Sequence, residues 1–299
     1  MKKGLKIIAV ILLLMASSRS NSAALEIEAA GTVPQRQDMK LPSAPGTQVK
    51  GTSLVQMDYS NIDQGYFQVK TLNANHKRLK VQVFKGADDK SPYKYDINKN
   101  FTYETIPLTK GNGDYIVKVY ENTEGNKYAV LMTVNFTVNM ADDKLPYLYP
   151  NQIVDYTATS NTVNKAFELA GNQASELARI KSVYTYVIGN VKYDWDKVQA
   201  VQGIYVLPVV DTTLATNKGI CFDYAALTAA MLRVQGIPTK VVTGYVDEGY
   251  HAWVEVYSSE LGWISPSRYF YSWAWNSTDP TFDASNKNYK GSYQIKYNY

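Results

Sequence analysis

The first part of the chain alternates hydrophobic and polar residues with a period of two. From residue 51 to about residue 140, the alternating runs are short and are separated by stretches such as KGNGDY and ENTEGNKY. A period of two is typical of half-buried β-strands, and the glycines and asparagines between the runs suit hairpin turns, which require positive φ angles. About six or seven such runs predict a small immunoglobulin-like β-sandwich over residues 50–140.

Beyond residue 140 the hydrophobic positions recur every three to four residues, which is the period of an α-helix. This pattern predicts helices over residues 160–169 and 175–187, and a third helix that begins at Cys221. Gly236 and Pro238 follow the third helix, where a left-handed residue and a helix breaker commonly end a helix. One buried stripe is expected along it, made of Tyr224, Ala225, Leu227, Thr228, Met231 and Leu232.

Short β-type runs follow the third helix, in the order TKVVTGYV, HAWVEVYS, LGWISP and YSWAWNSTDPTFD. Helices followed by an antiparallel meander predict an α+β domain, which we expect to occupy residues 145–299.

The N-terminus carries the pattern of an export signal. Lys2, Lys3 and Lys6 precede an apolar run over residues 7–16, and small residues follow it. This order predicts a secretory signal peptide over residues 1–24, and hence a secreted or cell-surface protein. The apolar run is about half the length of the roughly 20 residues that span a bilayer. Stable membrane insertion after cleavage is therefore not expected, although a retained anchor is an open alternative.

Residues 25–49 contain proline, glutamine and charged residues without hydrophobic periodicity. Such a segment cannot build a core of its own, and we expect it to be a flexible linker.

Composition narrows the possible partners. The 299 residues are 45% hydrophobic and 19% charged, with a formal net charge of +4. The lysines are dispersed, so we expect no nucleic-acid binding. Asp142 and Asp143 form an isolated acidic pair, and no cofactor or metal site is expected. The 25 tyrosines are typical of half-exposed strands in a secreted protein, and a carbohydrate-binding face is an alternative.

Cys221 is the only cysteine of the chain, and it is expected in the first turn of the third helix. There the unpaired N–H groups and the positive end of the helix dipole stabilise a thiolate over a thiol. A small buried core residue is the alternative interpretation. Export to an oxidising compartment, where cysteines are usually paired, favours a reactive thiol.

His251 opens the strand HAWVEVYS and is the only histidine of the predicted α+β domain. By strand alternation it shares one face with Trp253 and Glu255. A histidine in a strand is often only structural. A cysteine at a helix start together with one histidine, however, provides the parts of an activated thiol. The other histidine, His76, lies in the polar turn NANHKR and is expected to be a solvated loop residue.

Three blocks of the C-terminal region resemble the transglutaminase-like superfamily, which shares its fold with papain-like cysteine peptidases. GICFDYAALTAAMLRVQGIPTKVVTGYV resembles the nucleophile helix and the strand after it, HAWVEVY the histidine strand, and WNSTDPTFD the aspartate strand. The resemblance covers roughly residues 145–285. It implies a transglutaminase-like, papain-like fold with Cys221, His251 and Asp279 as the catalytic residues.

The position of the acid departs from the compact form of the superfamily, in which the aspartate lies on the strand directly after the histidine strand. That strand, in GWISPS, carries Ser265 here, so Asp279 comes late. Asp283 is the next candidate, and an Asp-Pro turn without a catalytic role is the alternative interpretation of Asp279.

The resemblance implies acyl transfer through a thioester on protein or peptide amides, with cell-wall peptide among the possible substrates. Cys221 would attack the carbonyl, His251 would carry the proton, and Asp279 would orient the imidazole. Tyr193 or Trp195 is a candidate second donor to the oxyanion. Hydrolysis by a cysteine peptidase or amidase and transamidation by a transglutaminase both fit. A catalytically silent cell-surface or cell-wall scaffold that keeps the fold is the alternative.

Overall fold

The structure is a computed structural model that describes residues 32–246, 249–266 and 293–299. The predicted signal peptide, residues 1–24, lies outside the described residues. So do Asp279 and Asp283. The described chain begins with β-sheets and continues with helices and a further sheet, so the predicted order of β-sandwich and α+β domain is confirmed.

Two antiparallel sheets make up the N-terminal region. The first has the strand order β1-β2-β3-β6 and the second the order β5-β4-β7-β8. Inward-facing residues of the second sheet alternate along β4 and β7, and each is at most 1% exposed. The predicted β-sandwich is confirmed, and its likeness to an immunoglobulin domain stays a prediction. The strands are β1 (Val49–Gly51), β2 (Val55–Asp58), β3 (Tyr66–Thr71), β4 (Leu79–Lys85), β5 (Tyr93–Asp96), β6 (Glu104–Pro107), β7 (Gly113–Glu124) and β8 (Lys127–Val138).

The α-helices follow the last strand of the sandwich, β8, in the chain. The predicted helices over residues 160–169 and 175–187 correspond to α1 (Asn161–Ala170) and α2 (Glu176–Asn190). The Ser175 hydroxyl accepts the N–H of Ala178 at 3.3 Å, which fixes the start of α2. The remaining helices are α3 (Trp195–Ala200), α4 (Val210–Thr216) and α5 (Cys221–Val234).

The C-terminal sheet has the strand order β13-β12-β11-β14, and all its pairs are antiparallel. A separate parallel pair joins β9 (Lys192–Tyr193) to β10 (Lys218–Gly219). Gly244 allows β14 to approach β11, because a Cβ at this position would lie 2.1 Å from the Gln294 carbonyl oxygen. The sheet strands are β11 (Thr239–Val246), β12 (Gly249–Ser258), β13 (Gly262–Ile264) and β14 (Gln294–Asn298).

Helix α5 is the centre of the C-terminal domain. It packs against α1, α2 and α4 and against strands β11 and β12. The expected single buried stripe is wrong, since every residue from Asp223 to Val234 is buried. The additional faces carry the small residues Ala226, Ala229 and Ala230, which let neighbouring elements pack closely around the helix.

The two regions share one continuous core. The ring of Tyr93 in β5 lies 5.0 Å from that of Tyr297 and 5.7 Å from that of Tyr299. Arg233 is fully buried in α5 and donates hydrogen bonds to the carbonyl oxygens of Tyr149, Thr239 and Tyr299. Burial lowers the pKa of Arg233 to about 10. Arg233 of α5 therefore binds both the segment that joins the two regions, at Tyr149, and the end of the chain after the last strand, at Tyr299.

The described part of the predicted linker, residues 32–48, contacts both regions. The Arg36 guanidinium donates to Asn164 Oδ1 at 3.0 Å, and the Ser43 N–H donates to the Tyr66 hydroxyl at 3.1 Å. The flexibility of residues 25–49 and the predicted domain limits stay predictions. None of the helices in the described ranges is long and apolar enough to cross a bilayer.

Candidate active site

Cys221 is the first residue of α5, as the sequence predicts. Ile220 precedes the helix in an extended conformation, and its carbonyl oxygen accepts the N–H groups of Asp223 and Tyr224. The Cys221 thiol is free and partly exposed. Because α-helix geometry gives the first N–H groups no acceptor within the helix, the Cys221 N–H is placed to bind an anion.

A buried carboxylate organises this first turn. Asp223 is 2% exposed, and its Oδ2 accepts the Ile220 N–H at 2.9 Å, which is the returning half of a capping box. Lys197 Nζ donates to both carboxylate oxygens, at 2.8 and 2.7 Å. Gly219 is required here, since a Cβ would lie 2.6 Å from Asp223 Cβ. The negative charge beside Cys221 is therefore neutralised by a lysine from another helix.

The short β9–β10 pair holds α3 against the start of α5. Gly219 pairs with Tyr193, and the Asp194 N–H donates to the Gly219 carbonyl oxygen at 2.9 Å. Asp194 also caps α3, because its side chain accepts the Lys197 N–H at 3.0 Å. These contacts fix the backbone from which Lys197 reaches Asp223. An acidic residue at the third position of a helix is a recognisable capping signal, whereas nothing local in the sequence points to Lys197.

His251 lies near the start of β12, directly opposite Gly244 of β11. Because Gly244 has no side chain, no cross-strand side chain lies directly opposite the imidazole. His251 is 8% exposed and Trp253 is 4% exposed, so the face expected to carry polar groups is largely covered. Trp253 packs edge-on against Tyr293, with ring centroids 4.8 Å apart. The imidazole is thus held in a sheltered position.

Cys221 and His251 line the same cleft, whose volume is about 490 Å³. Tyr250 forms part of its wall and donates a hydrogen bond to the Thr243 hydroxyl at 2.8 Å. Burial raises the pKa of Tyr250 above its usual value, so its hydroxyl is neutral and can donate at neutral pH. The other lining residues are Val201, Gly203, Ile204, Tyr205, Val206, Ile220, Phe222, Ala252 and Tyr299.

The remaining predicted site residues either are not among the described residues that line this cleft or lie outside the described residues. Tyr193 and Trp195 pack edge-on with their ring centroids 4.7 Å apart, and neither is among the described residues that line the cleft. The role of either residue as a second oxyanion donor stays a prediction. Ser265 follows β13 and is partly buried. The assignment of the acid to Asp279 or Asp283 stays a prediction.

Within the described ranges, no group of three or more His, Cys, Asp or Glu side chains is placed to hold a metal ion.

Comparison with known proteins gives three matches of sequence. Residues 163–267 match the transglutaminase-like superfamily. A UPF0252 protein of Methanocaldococcus jannaschii is 39% identical over 59 residues, which cover 18% of this chain and 17% of that protein. A protein-glutamine gamma-glutamyltransferase of Pseudomonas aeruginosa is 37% identical over 71 residues, covering 19% of this chain and 11% of the enzyme. The chain thus spans only a small part of both relatives.

Two solved structures are similar at lower identity. A proposed cysteine protease from Cytophaga hutchinsonii is 15% identical, with 67% of this chain and 77% of that chain covered and a TM-score of 0.36. Red sea bream transglutaminase is 14% identical, with 66% and 47% covered and a TM-score of 0.27. The family match includes both Cys221 and His251 and confirms the resemblance predicted from the sequence: residues 163–267 form a transglutaminase-like core.

Proposed function

We propose that this protein transfers acyl groups from the carboxamides of proteins or peptides through a thioester on Cys221. The observation that carries the proposal is the placement of Cys221, at the first turn of α5, and His251 along one cleft. Their membership of a transglutaminase-like core supports it. Asp279 is proposed as the group that orients His251, with Asp283 as the second candidate.

In the first step, His251 takes the proton of the Cys221 thiol as the sulfur attacks the carbonyl carbon. A carbon–sulfur bond forms, and the carbonyl oxygen becomes an oxyanion that the Cys221 N–H stabilises. The intermediate then collapses, the carbon–nitrogen bond breaks, and His251 passes the proton to the departing ammonia or amine. The product is a thioester on Cys221, with the charge on His251 returned to neutral.

In the second step, water or an amine attacks the thioester and gives its proton to His251. The carbon–sulfur bond breaks, and the proton returns to the Cys221 sulfur. Water gives hydrolysis, the outcome of a peptidase or an amidase, and an amine gives a new amide, the outcome of a transglutaminase. The same residues perform both reactions, so access of water to the thioester decides between them.

We also propose that the protein acts outside the cytoplasm. The support for this is the basic and apolar order of residues 1–24 together with the single cysteine. Proteins or peptides at the cell surface, including cell-wall peptide, are then the substrates within reach.

The test is to incubate the protein with a glutamine-containing protein, with and without a primary amine. Released ammonia, cleavage products and incorporated amine are measured in the same reaction. We expect at least one product, and its loss in Cys221→Ser and in His251→Gln. His76→Gln is the matched control, because His76 lies in the sandwich and contacts Lys77 and Asn100 instead of the cleft.

A folded protein that forms none of these products and whose Cys221 resists iodoacetamide would contradict the proposal. That result would favour the alternative of a silent surface scaffold, because a buried structural cysteine is inert.

A further inference from the structure

The described part of the wall around Cys221 and His251 has no charged side chain besides this catalytic pair. No Asp, Glu, Lys or Arg is among the described residues that line it. The chain as a whole is 19% charged, so the described lining of this cleft of about 490 Å³ differs from the rest of the chain in its lack of Asp, Glu, Lys and Arg. A charged substrate group that entered it would lose its hydration without gaining a partner.

Apolar side chains on one side of the cleft extend into solvent. Ile204 is 62% exposed, Tyr205 61% and Val206 44%, although all three line the cleft. Tyr205 also contacts Phe222, the residue after the nucleophile, with ring centroids 6.0 Å apart. Exposed apolar residues that adjoin one another commonly mark a binding surface. These residues form an apolar wall, residues 204–206 with Phe222.

A second aromatic pair lies across the strand that carries His251, β12, and its neighbour β11. Tyr250, the neighbour of His251, is 51% exposed and lines the cleft. Tyr245 of β11 lies directly opposite it, with ring centroids 5.2 Å apart, and is 47% exposed. The two exposed aromatic surfaces therefore adjoin the nucleophile and the imidazole respectively. A chain segment whose carbonyl meets Cys221 would bring its neighbouring side chains against them.

Resting on the proposed function, we infer that the substrate is a polypeptide segment in which an aromatic or large aliphatic residue, and not a charged one, adjoins the reactive carboxamide. Tyr205 is the specificity-determining residue, since it joins the exposed wall to Phe222. The apolar wall and the catalytic pair line one cleft, so the polypeptide segment that lies on the wall is the one that carries the reacting carbonyl. Highly charged cell-wall peptides are poor substrates by this reasoning.

The experiment uses the full chain and three glutamine peptides that differ only in the residue beside the glutamine: phenylalanine, glutamate or lysine. Steady-state ammonia release gives kcat and KM for each. We expect kcat/KM to be about tenfold or more higher for the phenylalanine peptide, mostly through KM, because binding of the flank is nearly the same in ground and transition states. The glutamate and lysine peptides carry opposite charges, so comparing them separates a preference for apolar residues from electrostatic attraction of the peptide to the positively charged protein.

Tyr205→Ala should reduce the preference for phenylalanine over glutamate to a few-fold, mostly by raising KM for the phenylalanine peptide. Phe101→Ala is the matched control, since Phe101 is also 61% exposed but belongs to the sandwich. Equal kcat/KM for the three peptides, or a preference that Tyr205→Ala leaves unchanged, would overturn the inference. Absence of turnover and of Cys221 alkylation for every peptide would instead contradict the proposed function.

A second copy of the chain is the competing occupant of the wall. Light scattering at the assay concentrations shows whether the protein is a monomer or a dimer. A dimer that Tyr205→Ala dissociates, together with equal kcat/KM for the three peptides, would assign the apolar wall to self-association and reject its role in substrate binding. A monomer that keeps the phenylalanine preference supports the inference.

Discussion

Replacing Lys197 by methionine tests whether the charge at the start of α5 must be neutralised. Lys197 Nζ binds both oxygens of Asp223, a carboxylate that is 2% exposed. Methionine keeps most of the aliphatic length of lysine and removes the ammonium group. The carboxylate then retains the Ile220 N–H as a partner but loses its ion pair with Lys197.

The magnitude follows from the exposure of the two partners. Two charges about 4 Å apart attract by about 4 kcal/mol at an effective dielectric constant of about 20. The Lys197 side chain is 31% exposed, so water replaces part of that interaction when the ammonium is removed. We therefore expect Lys197→Met to lower the free energy of unfolding by about 2 kcal/mol, which lowers the thermal midpoint by roughly 3–4 °C in a chain of this size.

The matched variant is Asp223→Asn. The asparagine oxygen still accepts the Ile220 N–H, and the freed lysine is solvated, so a loss of only about 1 kcal/mol is expected. The double variant has no unpaired buried charge and should be more stable than Lys197→Met alone. Such a double-mutant cycle isolates the coupling between the two side chains.

The functional readout is the rate at which iodoacetamide alkylates Cys221 near neutral pH. An unneutralised carboxylate in the first turn opposes thiolate formation, so Lys197→Met should slow alkylation several-fold, and the double variant should restore it. A stability loss below about 0.5 kcal/mol, or a double variant less stable than Lys197→Met, would refute the reasoning, because the pair would then behave as an ordinary surface ion pair.

Three further changes have defined outcomes. The free energy of unfolding should fall steeply above about pH 10, because burial raises the pKa of several tyrosines and the folded state keeps protons that the unfolded state releases. Each such tyrosine lowers the stability by about 1.4 kcal/mol per pH unit. Arg233, whose pKa is lowered to about 10, has the opposite effect and offsets one of these tyrosines. Circular dichroism with absorbance at 295 nm follows this, and an intact fold at pH 12 would contradict it. The tyrosines are Tyr95, Tyr115, Tyr147, Tyr156, Tyr224 and Tyr299. Gly244→Ala should lower the thermal midpoint, because the added Cβ would push β14 away from β11. The control Gly189→Ala should be neutral or stabilising, because there is open space where its Cβ would lie. Equal midpoints for the two variants would count against the close approach of β14 to Gly244. Asp279→Asn should keep the fold and reduce turnover by about 10⁴-fold, the effect of this change in a serine-protease triad. Full turnover in Asp279→Asn together with its loss in Asp283→Asn would move the acid to Asp283.

The elements that the sequence predicted well are those whose signals are local. Helix α5 begins at Cys221 and ends before Gly236, whose φ of +75° is the left-handed conformation expected there. Strands β11 and β12 follow from apolar runs on either side of a short turn. Each of these boundaries depends on residues within a few positions, so one sequence is sufficient to predict it.

The features that were missed depend on contacts between distant residues. Strand β14 is defined by its pairing with β11, and that pairing depends on the absence of a side chain at Gly244. The burial of α5 on all sides depends on which elements surround it, and its alanines are compatible with either a covered or an exposed face. Nothing in the local pattern of Lys197 indicates that its partner is Asp223, because the two lie on different helices.

The Lys197–Asp223 pair also shows why a helix start alone does not define a reactive cysteine. The dipole of α5 favours an anion at Cys221, but a carboxylate two residues later opposes a second negative charge in the same turn. Neutralising Asp223 with Lys197 leaves the favourable field of the helix end available to the thiolate, and Gly219 makes room for the carboxylate to turn back. The capping carboxylate thus fixes the backbone that presents Cys221, and Lys197 neutralises its charge beside the proposed nucleophile.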